Sequence, residues 1–245
     1  MTENLYEKLF IPKKARLKTR IPFNQIFKAM NINLKEQKEL ANNINKIYLI
    51  GEINSINCNY QIYKNEYYLY ETIQYLYIEL SKKENLEMID DIFHRLLPNP
   101  IIIIYSFNDK PAYSTSLKRL NKVENDKIVV ENIYNTTFNI DEYFYKKLKE
   151  IMNAKGIINL FELYKEIDDI IYLQMLYQIT NKFKYNISIN RIKNIYKEIN
   201  LIEKENKNIQ SIYNNEKNQA KRMDLYMAIK QNKVIIEEKV KEIEN

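Results

Sequence analysis

A chain of 245 residues with only two glycines, Gly51 and Gly156, has few places where its backbone can take up left-handed conformations without cost. Proline is also sparse, at five residues, and neither type occurs after Gly156. Nothing in that long remainder breaks a helix, and its apolar spacing is helical. Residues 159–180 carry a broad apolar face suited to packing onto a body. From Ile192 a seven-residue row runs Ile192, Ile199, Asn206, Tyr213, Ala220, Met227 and Val234. A companion row three residues later runs Ile195, Ile202, Ile209, Glu216, Met223 and Lys230. Apolar residues in both rows make a coiled-coil seam, continuous to Tyr213 and imperfect beyond it. Asn214-Asn215 is either a turn between two antiparallel helices or a polar break in one long helix.

Ahead of Gly156 the pattern is mixed. Residues 23–30 follow a helix-starting Pro22, and 34–43 read as a second short helix. Residues 44–54 and 66–80 are rich in Ile, Tyr and Leu with partial alternation, which suits strands. Residues 84–97 place Leu86, Ile89, Ile92, Phe93, Leu96 and Leu97 on one helical side, and Pro98-Asn99-Pro100 stops the run. Ile101 to Phe107 reads as a strand buried on both faces, and Asn108-Asp109-Lys110-Pro111 as a turn. Residues 112–117 and 127–134 return as strands. The fold class is therefore α+β: a mixed β-sheet domain with flanking helices over 1–156, followed by an all-helical, coiled-coil-like tail over 157–245.

Charge is unevenly placed. Residues 1–35 hold eight Lys/Arg against two Glu, the middle of the chain is mildly acidic, and 181–245 hold fourteen basic against nine acidic residues. Between Pro12 and Pro22, the cations Lys14, Arg16, Lys18 and Arg20 alternate with Ala15, Leu17, Thr19 and Ile21. An extended chain would line these four along one edge over roughly 20 Å, where they could neutralise successive phosphates of DNA or RNA. The plain alternative is an edge strand whose charges block aggregation. Lys118 and Arg119 would extend the patch. The 21 tyrosines add no stacking argument, because Ile, Asn, Lys and Tyr share AT-rich codons and all are frequent.

Catalytic classes are mostly excluded. Phosphate loops and dinucleotide folds need several spaced glycines. Acyl-transfer triads and His-based metal sites need His, and His94 is alone, so it reads as structural or surface. Cys58, also alone, reads as inert and gives neither a disulfide nor a zinc site. The acid-x-Lys spacing of metal-dependent nucleases occurs at Glu36/Lys38, Glu205/Lys207 and Glu237/Lys239, all in expected helices; the strand acids Glu71 and Glu79 lack the lysine. Asp90-Asp91 and Asp168-Asp169 read as solvated helix surface. No catalytic residue, cofactor or metal is expected. Residues 1–20 lack the apolar core of a secretion signal, no run is long enough to span a bilayer, and a cytoplasmic setting follows.

Three stretches, IPKKARLKTRIPFNQIF (11–27), LLPNPIIIIYSF (96–107) and NNEKNQAKRMDLYMAIKQNK (214–233), resemble in order and spacing the bacterial and archaeal family of domain of unknown function 4391. The resemblance implies a small accessory protein of DNA-defence clusters, encoded beside helicase and DNA-methyltransferase genes, and implies no catalytic residue. Similar proteins carry a basic residue where this chain has Phe23 and His where it has Asn99. The expected function is a non-catalytic adaptor of a DNA-processing or phage-defence assembly. It would join itself (as a homo-oligomer) or a helicase- or methyltransferase-type partner through Ile192, Ile195, Ile199, Ile202, Ile209, Tyr213, Met223, Met227 and Val234. The alternative is a nucleic-acid-binding protein using the basic strip, and the third option a metal-dependent nuclease.

Overall fold

The computed structural model describes residues 3–30, 32–122, 127–180 and 188–244. The chain divides into two compact units, Met1–Asn181 and Lys182–Asn245. The division falls after the 159–180 helix rather than at Gly156, because that helix is part of the sheet domain's core.

The first unit begins with α1 (Glu3–Lys8), a 3-10 turn at Lys13–Ala15 and β1 (Arg16–Arg20). Then come α2 (Phe23–Met30), α3 (Leu34–Asn43), β2 (Ile44–Asn54), β3 (Tyr63–Lys64), β4 (Leu69–Tyr70) and β5 (Thr72–Leu80). The unit continues through α4 (Leu86–Leu96), β6 (Ile101–Phe107), β7 (Lys110–Leu120), β8 (Ile128–Asn135), α5 (Glu142–Met152) and α6 (Leu160–Thr180). Local chemistry sets many of these boundaries. A reciprocal capping box starts α3: Asn33 Oδ1 accepts the Glu36 N–H at 2.9 Å and Glu36 Oε2 accepts the Asn33 N–H at 3.2 Å. Pro98 ends α4 one residue ahead, as the residue before proline avoids helical backbone. In the two-residue hairpin joining β6 to β7, Asn108 and Asp109 both have positive φ, 49° and 59°, so Asn and Asp serve where glycine is scarce.

Six strands form one mixed sheet in the order β1-β2-β5-β6-β7-β8, and β3-β4 form a separate ribbon. All sheet pairs are antiparallel except β5–β6, which α4 joins by a crossover. One face carries a core of Leu76, Ile78, Ile101, Ile103 and Tyr105 packed with Ile89, Ile92 and Phe93 of α4. On the other face α6 packs on β5, β7 and β8, with α5 beside it. Covered on both sides, Ile101–Tyr105 are all buried, each side chain contributing roughly 1.5–3 kcal/mol; this is why β6 reads as an unbroken apolar run. Tyr164 of α6 fastens the second layer: its hydroxyl donates to Ile101 O at 2.7 Å and accepts the Ser116 N–H at 3.2 Å. Gly51 lets the N-terminal segment lie close over β2, since a Cβ there would meet Ile11 Cδ1 and Cγ2 at 3.2 Å.

The second unit is an antiparallel helical hairpin of α7 (Ile189–Asn215) and α8 (Gln219–Glu244). The turn is real: α7 ends at Asn215, and Asn218 Oδ1 caps α8 by accepting the Ala220 and Lys221 N–H groups at 3.0 and 3.2 Å. Four pairs pin the helices along their length. These are the Arg191–Glu242 and Lys239–Glu198 ion pairs, the 2.9 Å bond from Asn232 Nδ2 to Asn206 Oδ1, and Arg222 over the Tyr213 ring. Among the described residues no helix is long and apolar enough to cross a membrane.

Candidate functional site

The basic strip differs from the extended row of four. Lys14 sits in the 3-10 turn, ahead of β1. A register irregularity between Arg16 and Thr19 interrupts the pairing of β1 with β2, so strict alternation is lost. Arg16 is committed within the fold: its Nε donates to Ile11 O at 3.0 Å and its guanidinium lies 5.2 Å from the Tyr6 ring centroid. Lys14, Lys18 and Arg20 remain exposed. β1 is an edge strand, and the Tyr6 hydroxyl caps one edge carbonyl by donating to Leu17 O at 2.5 Å.

Lys118 does not extend this patch. It is 3% exposed, and its ammonium donates to Leu97 O at 2.5 Å and Asn99 O at 2.7 Å. Its charge thus serves the carbonyl end of α4, and burial pushes its pKa down to about 7. Arg119 is half-buried.

Beneath α4 lies a polar cluster that sequence spacing did not reveal. Asp90 and His94, one helical turn apart, meet Tyr105 of β6, Ser114 of β7 and Asn135 of β8. Tyr105 Oη donates to Asp90 Oδ1 at 2.8 Å, and His94 Nε2 lies 3.0 Å from Ser114 Oγ. Burial raises the Asp90 carboxyl to about 6, against hydrogen bonds from Ser114, Tyr105 and Asn135 that lower it. Burial, helped by the Lys118 charge, lowers His94 to about 3, so the imidazole is neutral. Asp90 Oδ2, His94 Nδ1 and Asn135 Oδ1 have no partner. The serine lies between the acid and the imidazole, and Asp90, His94 and Ser114 are at most 1% exposed; a nucleophilic triad needs the opposite order and an open face. The cluster fixes α4 on the sheet.

Asp90 is therefore core, not solvated surface, and so are Asp168, which accepts from Thr115 Oγ1 at 2.8 Å, and Asp169, paired with Lys165 at 3.0 Å. Asp91 is exposed as expected. Glu79 pairs with Lys46 at 3.4 Å and Glu71 is exposed. Among the described residues no group of three or more His, Cys, Asp or Glu side chains is placed to hold a metal ion.

The seam residues separate into two sets at the hairpin turn. On α7, Ile192, Ile195 and Ile199 are buried and Ile202, Ile209 and Tyr213 half-buried, on the row that includes the Asn206 contact to α8. On α8, however, the less exposed row is Leu225, Ile229, Asn232, Ile236, Val240 and Ile243. Met223, Met227 and Val234 lie on the opposite side of the helix, 58%, 41% and 49% exposed, with Tyr226 flanking them at 50%. The three-residue turn resets the heptad phase, and α8 carries apolar residues on both faces. On the outer side Lys230 stands between Met227 and Val234, and Glu237 and Glu238 follow one turn after Val234; Lys221, Arg222 and Lys233 lie toward the inner row, Arg222 over the Tyr213 ring of α7.

Fold and surface together define a two-part protein, a mixed-sheet α/β domain and a helical hairpin whose second helix is apolar on both faces. The chain belongs to the family described as domain of unknown function (DUF4391), whose model matches residues 9–235. No curated protein and no solved structure matches it.

Proposed function

We propose that this protein is a non-catalytic docking subunit, and that the outer face of α8 takes the apolar side of an amphipathic helix of a protein partner. One observation supports the reading above others: Met223, Tyr226, Met227 and Val234 form an exposed apolar row on a helix that already buries a separate apolar row. A surface helix needs only one such face to fold, and apolar rows left in water are the usual mark of an interaction surface. The rim of this face is mixed, with Lys230 beside Glu237 and Glu238, so docking rests on the apolar row more than on net charge. The helicase- and methyltransferase-type proteins that the family resemblance implies supply the class of partner, in a DNA-processing or phage-defence assembly.

The test is co-expression with the proteins encoded beside it, comparing the wild type with Met223→Ser/Met227→Ser/Val234→Ser. The reading expects a monomer by light scattering and loss of co-purification in the variant with helicity unchanged. A homodimer held by this face, or a partner retained by the variant, would sink it.

A second reading is supported by the exposure of Lys14, Lys18 and Arg20 along the β1 edge: direct nucleic-acid binding through phosphates. Replacing these three by Ser should reduce the slope of log affinity against log salt by about 2–3. An unchanged slope in a gel-shift series removes this reading.

A further inference from the structure

A cleft of about 470 Å³ opens beside the N-terminal turn, lined by Pro12 and Lys14, by Asn57, Cys58, Asn59 and Tyr60 of the loop after β2, and by Ala154, Lys155 and Ile157 between α5 and α6. Its volume falls in the range that accommodates small ligands. Two cations, Lys14 and Lys155, reach it from segments distant in sequence, and none of its lining residues is acidic. Neither lysine forms an ion pair among the described residues.

The walls are held in place before any ligand arrives. Asn57 Nδ2 donates to Glu52 O at 2.7 Å and its Oδ1 accepts the Asn54 N–H at 3.0 Å, while the Cys58 N–H donates to Asn54 O at 3.0 Å. The loop is tied to the α5–α6 connection by Gln61 N–H to Ile158 O at 2.9 Å and Leu160 N–H to Gln61 O at 3.0 Å. Two unpaired ammonium groups on a pre-formed frame suit a doubly charged anion better than a singly charged one. A phosphate monoester carries nearly two negative charges at neutral pH, and a backbone diester carries one.

We propose that this cleft binds a phosphate monoester, with Lys14 and Lys155 as its two cationic contacts and Tyr60 and Cys58 along its wall. The site is independent of the docking face on α8. The monoester could be carried by a free mononucleotide or by the 5′ end of a nucleic-acid strand, and the two sources are separable.

Cys58 is the one cysteine of the chain, so its alkylation by iodoacetamide reports on the cleft alone. Burial pushes the thiol pKa up, and the Lys14 charge beside it pulls the other way. Alkylation of the full chain would be followed with inorganic phosphate, adenosine 5′-monophosphate, a 5′-phosphorylated single-stranded oligonucleotide and its 5′-hydroxyl counterpart, with calorimetric titration of each. Saturable protection and measurable heat are expected with a monoester. Protection by the mononucleotide assigns a small ligand; protection by the phosphorylated oligonucleotide alone assigns a strand end. Lys155→Ser, an exposed loop position, should leave circular dichroism and unliganded alkylation unchanged. It should weaken half-protection about tenfold, as loss of one charge-assisted contact does. Absence of both protection and heat overturns the proposal. So does equal protection by the 5′-hydroxyl strand, or protection undiminished in Lys155→Ser and Lys14→Ser.

Discussion

Replacing Lys118 by Met removes a buried ammonium while keeping most of the side chain's bulk, and the consequence is best read as a pH dependence. In the fold the group has a pKa of about 7, lowered by burial; in the unfolded chain it lies near ~10.4. The folded state therefore releases its proton first. Between those values the unfolded chain binds more protons, so stability rises with pH. From pH 7 to pH 9 the gain for a single such group is about 2 kcal/mol. The absolute effect at pH 7 is less decisive, because two contributions oppose each other. Leu97 O and Asn99 O lose their donor, at roughly 1–3 kcal/mol for each buried group left unsatisfied, while the cost of burying a charge disappears. The difference between wild type and Lys118→Met isolates the slope, since the buried tyrosines and Cys58 titrate alike in both. Urea denaturation followed by far-ultraviolet circular dichroism at pH 7, 8 and 9 measures it. The wild type should gain about 2 kcal/mol on the variant across that range. Parallel curves would refute the reasoning and mean that the two carbonyls hold the proton on Lys118 despite burial.

Asp90→Asn tests the same layer with the opposite sign. The folded carboxyl, near 6, titrates above its unfolded value of ~3.9, so its contribution is fully present below the unfolded pKa and is lost as pH rises through 6. The wild type should lose about 2 kcal/mol relative to Asp90→Asn between about pH 4.5 and 7, measured by the same denaturation. Gly51→Val brings a branched side chain against Ile11 and the Ala15 carbonyl; it should destabilise the sheet domain by about 1–3 kcal/mol in urea melts. Ile199→Ala, at a buried position of α7, should cost about 2–5 kcal/mol in the stability of the second unit. Met227→Ser on the outer face of α8 should stay within about 0.5 kcal/mol, by the same measurement.

What was legible in the chain was whatever short-range chemistry decides. Helices α2 and α3 and strands β2 and β6 fall where proline, alternation and apolar runs place them. Helix α5 carried a readable signal too: Asp141 caps it by accepting the Tyr143 N–H at 2.7 Å, and Phe144 and Leu148, four residues apart, are its buried pair. The errors arose where distant residues decide. Asp90 and Asp168 resemble surface acids until β7 supplies Ser114 and Thr115, and Arg16 resembles a free cation until Tyr6 and Ile11 engage it. The Lys14–Lys155 cleft is likewise assembled from three separate segments, so no spacing along the chain announces it.

The two apolar faces of α8 present a different problem, because hydrophobicity alone does not say which turns inward. One face holds Met223, Met227 and Val234, the other Leu225, Ile229 and Ile236, and both have helical spacing. The choice falls to the connection: α7 ends at Asn215, Asn218 caps α8, and only three residues lie between. The advance of about 100° per residue holds only within a helix, so the non-helical residues 216–218 do not carry the heptad count of α7 into α8. The Asn232–Asn206 hydrogen bond then acts against slippage, since in any other phase those amides would lose each other beside an apolar seam. A polar pair and a short turn thus select one greasy face for the hairpin, and by the same selection leave the other facing outward.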